Sequence, residues 1–114
     1  MEVSAAATAF SALSQETRLS VLRRLVKAGP DGVSAGTLAD ELGVAPSNLS
    51  FHLKELIHAG LITRERSGRH IVYSADYDRL TELLGFLMND CCGRRPEICA
   101  PFLTGSALLE TETT

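Results

Sequence analysis

The sequence contains no apolar run of the roughly 18 residues that a membrane-spanning helix requires. Its first residues also lack the charged and apolar regions of a signal peptide, so we expect a cytoplasmic protein with no membrane partner. Cysteine is scarce, and all three cysteines lie between Cys91 and Cys99. An odd number of thiols in a reducing compartment disfavours structural disulfides and favours a metal or redox role.

The sequence also has no excess of positive charge. Its 114 residues carry a net charge of −3 at pH 7. That average argues mildly against nucleic acid as a partner. The distribution of charge argues the other way. The segment from Ser47 to His70 has four basic residues and two acidic ones, which makes it +2. The basic residues are Lys54, Arg64, Arg66 and Arg69, and the acidic ones are Glu55 and Glu65.

Length and hydrophobic periodicity predict one domain with five helices. Capping residues set the expected ends. The helices are expected over Val3–Leu13, from Ser14 as N-cap to Gly29, from Ser34 as N-cap to Gly43, from the region of Pro46 to Gly60, and from Asp76 to Gly93. In the second helix, Leu19, Leu22, Leu25 and Val26 form the expected apolar stripe.

The third and fourth helices are separated by very few residues, which is the helix-turn-helix pattern. After Gly60 the pattern changes from helical to alternating, and the stretches LITRERS and RHIVYSA flank Ser67 and Gly68. This predicts a β-hairpin, which in this position is a wing. The expected fold is therefore mainly α with a small β-hairpin, a winged helix-turn-helix.

The start of the fourth helix has polar side chains that fit base edges in the major groove of DNA. Asn48 suits adenine, and Phe51 suits a thymine methyl group. The candidates for reading bases are Ser47, Asn48, Ser50, Phe51 and His52. The candidates for binding phosphates are Lys54, Arg64, Arg66 and Arg69. Two alternatives remain, namely a solvated basic face without a ligand and a protein-interaction module.

Three stretches together resemble the arsenical-resistance repressor (ArsR/SmtB) family of metal-sensing winged-helix repressors: ALSQETRLSVLRRL, TLADELGVAPSNLSFHLKELIHAGLI and RSGRHIVYS. The resemblance implies a homodimer that binds double-stranded operator DNA through the fourth helix and the wing. It also implies that the first and last helices form the dimer interface, and residues 1–92 would then make one DNA-binding and dimerisation domain. The expected interface residues are Val3, Phe10, Leu80, Leu84, Leu87 and Met88.

Two sensing sites of that family are missing from this sequence. Arsenic-sensing members carry Cys-Val-Cys where this chain has Ser34, Ala35 and Gly36. Zinc-sensing members use carboxylates and histidines on the last helix. That helix has Asp76, Asp78, Glu82 and Asp90 here, but no histidine.

The stretch NDCCGRRPEICAP resembles a third arrangement, in which arsenic-responsive members place a cysteine pair at the end of the last helix and another cysteine in the tail. The resemblance implies that Cys91, Cys92 and Cys99 bind trivalent arsenic or antimony as the inducer, without an organic cofactor. Three soft thiolates suit a soft trivalent ion, although cadmium remains an alternative. Arg94 and Arg95 would favour the thiolate form. Residues 93–114 would then be a tail that completes the site and ends in disorder.

The same cysteines do not form the common enzyme motifs of thiols. A Cys-x5-Arg loop is excluded because Glu97 and Ile98 stand six residues after the pair, and the redox motif Cys-x-x-Cys is missing as well. The sequence therefore predicts a protein that is not an enzyme. Two rivals to the metalloid sensor remain: a regulator switched by thiol oxidation, and a regulator controlled by a partner protein with incidental cysteines.

Overall fold

The computed structural model describes residues 1–88 of the chain, and the predicted thiol site, the Gly93 helix end and the tail lie outside them. The elements run in the order α1 (Val3–Leu13), α2 (Glu16–Ala28), β1 (Val33–Ser34), α3 (Ala35–Leu42), α4 (Pro46–His58), β2 (Ile62–Ser67), β3 (His70–Ala75) and α5 (Tyr77–Met88). The chain divides into two compact units, Met1–Leu83 and Leu84–Thr114. The described part of the second unit is the end of α5. None of the helices in residues 1–88 is long and apolar enough to cross a membrane.

The boundary between α1 and α2 differs by one residue from the prediction. Ser14 is not the N-cap of α2, because its hydroxyl donates back to the Ser11 carbonyl at 2.7 Å and so closes α1. The cap is Gln15, whose side chain accepts a hydrogen bond from the backbone N–H of Arg18 at 2.9 Å. The predicted end of α2 is confirmed, since Gly29 follows the helix with a φ of 86°.

The apolar stripe predicted for α2 is only half buried. Leu22 and Leu25 lie in the core, whereas Leu19 and Val26 are exposed, at 45% and 43%. Arg24, on the same helix, pairs with Glu41 of α3 through two hydrogen bonds of 2.7 and 3.2 Å. Hydrogen bonding to Glu41 raises the pKa of the Arg24 guanidinium above its ordinary value. Since solvent screens this pair, it orients α3 against α2 more than it stabilises the fold.

Local signals place the helix-turn-helix as predicted. The Ser34 hydroxyl accepts from the backbone N–H of Thr37 at 3.2 Å and caps α3. Gly43 ends α3 in the left-handed region, with a φ of 65°, where glycine has no Cβ penalty. Pro46 opens α4, as its missing N–H and fixed φ allow.

Three leucines decide which side of α4 faces outward. Leu49, Leu53 and Leu56 are at most 2% exposed. Each contributes about 1.5–3 kcal/mol when fully buried, so rotating the helix would forfeit several kcal/mol. Ser50, Lys54 and Glu55, which lie between these leucines in the sequence, are therefore held on the outer surface.

The predicted wing is part of a three-stranded sheet with the order β1-β3-β2. The strands β2 and β3 form the predicted hairpin, with Ile62 opposite Ala75 and Ser67 opposite His70. The strand β1 was not predicted, and it pairs antiparallel with β3 through Val33 and Tyr73. Gly32 permits this approach, because a Cβ there would lie 2.6 Å from the Tyr73 carbonyl oxygen.

Candidate nucleic-acid interface

The outer face of α4 presents most of the side chains predicted to contact DNA. Ser47, Asn48, Ser50, Phe51 and Lys54 are all exposed. At 100° per residue, Ser47, Ser50, Phe51 and Lys54 lie within about 100° of the helix circumference, and Asn48 lies about 60° beyond the edge of this arc. Phe51 is 47% exposed, so one part of its ring is open to a ligand and another is packed against the protein.

The amino-terminal end of α4 also has free backbone donors. Ala45, the N-cap residue, makes no side-chain cap, and Pro46 has no N–H. Within residues 1–88, the N–H groups of Ser47 and Asn48 have no backbone partner, and the first hydrogen bond of the helix runs from Leu49 to Ala45. A helix end of this kind carries partial positive charge and suits a phosphate.

Three arginines of the wing are exposed and carry unneutralised charge. Arg64 and Arg66 are two residues apart on β2, so they lie on one face of the strand, with Glu65 on the other. Arg69 lies in the turn beside Gly68. None of the three arginines forms an ion pair in the described part of the chain. Their guanidinium groups are therefore available to bind an anion.

His52 does not belong to this surface. Its side chain is only 7% exposed, and its Nδ1 accepts a hydrogen bond from Nε of Arg18 at 3.1 Å. The prediction that His52 reads a base needs a correction, because its ring packs inward and its Nδ1 is already used. In the sequence, Arg18 is only one of the residues off the apolar stripe, and a contact 34 positions away has no local signal.

The residues predicted for a dimer interface show large apolar exposure. Val3 and Phe10 on α1 are 72% and 40% exposed, and Leu84 and Leu87 on α5 are 55% and 43% exposed. Leu80 and Met88 are half-buried. Exposed apolar side chains at repeated helical positions are typical of association surfaces.

Comparisons with known proteins agree with this architecture. A family model described as a helix-turn-helix domain matches residues 13–65. The nodulation protein NolR of Rhizobium meliloti is 35% identical over 82 residues, which are 72% of this chain and 65% of NolR. The arsenical resistance operon repressor of Bacillus subtilis is 34% identical over 83 residues, which are 73% of this chain and 74% of the repressor.

Among solved structures, an ArsR-like transcriptional regulator from Rhodococcus sp. RHA1 is 30% identical, with a TM-score of 0.66 over 95% of this chain and 92% of that one. Similarity of sequence and of fold thus extends over most of both chains. The chain belongs to the ArsR family of winged helix-turn-helix transcriptional regulators.

Proposed function

We propose that this protein is a homodimeric repressor that binds operator DNA through α4 and the wing and is released by a trivalent metalloid. Two features together support DNA binding. The start of α4 is polar and exposed, and the three wing arginines form no ion pair within residues 1–88. The chain as a whole has a net charge of −3, whereas the segment from Ser47 to His70 is +2.

The surface divides into two kinds of contact. Arg64, Arg66 and Arg69 bind phosphates, which positions the protein without reading sequence. Asn48 and Phe51 read base edges in the major groove. A symmetric dimer would place two such surfaces on two half-sites, so an operator with two-fold symmetry is expected.

The inducer is proposed from the donor chemistry of Cys91, Cys92 and Cys99. Three thiolates match a soft trivalent ion, and structural zinc prefers a fourth ligand that this stretch does not offer as cysteine or histidine. The similarity to an arsenical resistance operon repressor supports arsenite, and the same thiolate chemistry would accept antimonite. Repression is relieved if the metalloid binds the DNA-incompetent state more tightly than the DNA-bound state.

The proposal is tested by selecting a binding sequence from randomised duplex DNA and titrating the complex with arsenite, antimonite, cadmium and zinc under reducing conditions. Release by arsenite or antimonite at lower concentration than by cadmium or zinc is the expected result. Release by cadmium alone would make cadmium the inducer instead of a metalloid. Release by peroxide without any metalloid would favour a thiol redox switch.

Replacing Arg66 with alanine is expected to weaken binding to all DNA sequences about equally, because a phosphate contact carries no sequence information. The slope of log affinity against log salt should fall by about one unit for each phosphate that is no longer bound. Affinity measured between low and high salt on selected and random duplexes checks this. Arg23→Ala, at an exposed position on α2, is the control and should leave the slope unchanged.

Asn48→Ala should behave differently from Arg66→Ala, since a bidentate amide contact to adenine discriminates between bases. We expect a loss of about 1–3 kcal/mol at one base pair of the selected site and little change on random DNA. Affinities for a set of single-base variants of the site give the measurement. An equal loss on selected and random DNA would assign Asn48 to the phosphate backbone instead.

A further inference from the structure

The side chain of Arg18 contacts residues of two other helices from its place on α2. Its Nε donates to Nδ1 of His52 at 3.1 Å, and its Nη1 donates to the Ala12 carbonyl at 3.4 Å, in the last turn of α1. The guanidinium carbon also lies 5.8 Å from the centre of the Phe51 ring, within the range of a cation–π contact. We call Arg18, His52 and Phe51 the arginine–histidine–phenylalanine cluster.

The hydrogen bond inside this cluster defines the state of His52. An arginine nitrogen can only donate, so Nδ1 of His52 is the acceptor of this hydrogen bond, which places the ring proton on Nε2. His52 is buried, and a buried polar group without a partner would destabilise the fold. Arg18 therefore supplies the partner that allows a histidine at this inward position.

The ring of His52 in turn supports Phe51. The two rings are stacked, with centres 5.5 Å apart and planes inclined by 7°. Phe51 is thus held by His52 and by the guanidinium of Arg18, while 47% of its surface faces outward on α4. The outward part of the ring is the part proposed to meet a thymine methyl group.

Arg18 also borders an open space beside the cluster. Between α1 and α4 lies an open cavity of about 300 Å³, whose wall includes Arg18, Thr8, Ser11 and Glu55. Small side chains of α1 therefore leave space beside α4 instead of filling it. The contacts of the Phe51 ring on this side of α4 include its stacking on His52 and the approach of the Arg18 guanidinium.

We propose that Arg18 is a positioning residue for DNA recognition, which acts on specificity by holding Phe51 in its base-reading orientation and without touching DNA itself. This inference rests on the proposed DNA-binding function. It separates Arg18 from the wing arginines, which are proposed to bind phosphates directly. Loss of Arg18 should therefore change thymine discrimination and leave the salt dependence as it is.

The test compares the selected operator with versions in which single thymines are replaced by uracil, which removes only the methyl group. For the wild-type protein we expect one position at which uracil lowers affinity roughly fourfold, the effect of one buried methyl group. Arg18→Met and Phe51→Ala should each abolish that difference. The double variant Arg18→Met with Phe51→Ala should show no further change in discrimination.

Arg23→Met, on the same helix, is the matched control and should keep the thymine preference. Arg18→Lys retains the positive charge but not the planar Nε donor, so it should also lose the preference for thymine over uracil. This variant replaces Arg18→Met if Arg18→Met is too unstable to study. The nitrogen resonances of His52 provide a readout without DNA. They should show the Nε2–H tautomer in the wild type and a changed tautomer population in Arg18→Lys.

The outcomes separate the two proposals. If the wild type binds no duplex DNA in a salt-dependent way, the proposed function itself fails. If the wild type binds DNA but shows no thymine preference, or if the Arg18 variants keep that preference, the positioning role is overturned. A salt slope lowered by about one unit in Arg18→Met with discrimination intact would make Arg18 a phosphate ligand and would also overturn it.

Discussion

Leu84→Glu is expected to convert the dimer into a monomer at micromolar concentration and to weaken operator binding with it. Leu84 is 55% exposed on α5, and its burial in a symmetric interface would occur twice per dimer. Full burial of a leucine contributes about 1.5–3 kcal/mol, and about half of each Leu84 remains to be covered, so the two contribute about 1.5–3 kcal/mol, or roughly tenfold to a hundredfold in the dimerisation constant. A buried carboxylate without a partner would add to this loss.

Sedimentation equilibrium and operator titration on the same samples check the prediction. Glu82→Lys changes the charge of the same helix two residues away, and it disturbs only an exposed ion pair of 3.6 Å with Arg79. This control should remain dimeric, since such a pair contributes little. A wild-type protein that sediments as a monomer while binding its operator tightly would contradict the dimer proposal.

Replacing all three cysteines with serine is expected to abolish the response to arsenite and to leave operator affinity intact. In the wild type, we expect arsenite to lower operator affinity by about 5- to 150-fold, the usual range of coupling between two sites. The triple variant should show no measurable change. Cys91, Cys92 and Cys99 lie outside the segments of α4 and the wing, so serine should not alter the DNA-contacting side chains.

Single variants resolve how many thiols act. Cys99→Ser leaves two thiolates and should bind arsenite more weakly, and Cys91→Ser or Cys92→Ser should reduce the response as well. X-ray absorption of the wild-type arsenite complex should show three sulfur neighbours. Ala100→Ser adds a hydroxyl beside Cys99 without removing a thiol, so it should respond as the wild type does.

Two results would contradict arsenite sensing by three thiolates. Full arsenite-driven release of DNA by Cys99→Ser would show that two thiolates suffice. Normal arsenite-driven release by the triple serine variant would remove the three cysteines from sensing altogether. A response to peroxide that requires the same cysteines would instead support the redox switch.

Local sequence signals predicted the helices and the hairpin because their physical causes act within a few residues. Ser34, Gly43 and Pro46 cap, end and open helices through contacts and dihedral angles of their own neighbourhood. The alternation after Gly60 similarly marks a hairpin. The Ser14 prediction was wrong by one residue because two adjacent polar residues could each cap α2, and the hydroxyl of Ser14 bonds to α1 instead.

Pairing between distant segments could not be predicted in this way. The strand β1 has two residues, too few for alternation to appear, and it exists because β3 is beside it. Leu19 and Val26 fit a helical apolar stripe, yet both remain exposed because burial depends on which neighbours cover a helix. Periodicity identifies an apolar face of a helix but not the segment that packs against it.

The sequence by itself determined the order of the five helices and the hairpin, the polar start of α4, the basic wing and the cluster of three cysteines, since each is a property of consecutive residues. Only the tertiary structure decided which of the residues at the start of α4 face outward. His52 was predicted to read DNA, but it lies on the same buried side of α4 as Leu49, Leu53 and Leu56, where Arg18, 34 positions away, donates a hydrogen bond to it. The free energy that orients a side chain comes from contacts across the fold, and residues distant in sequence make those contacts.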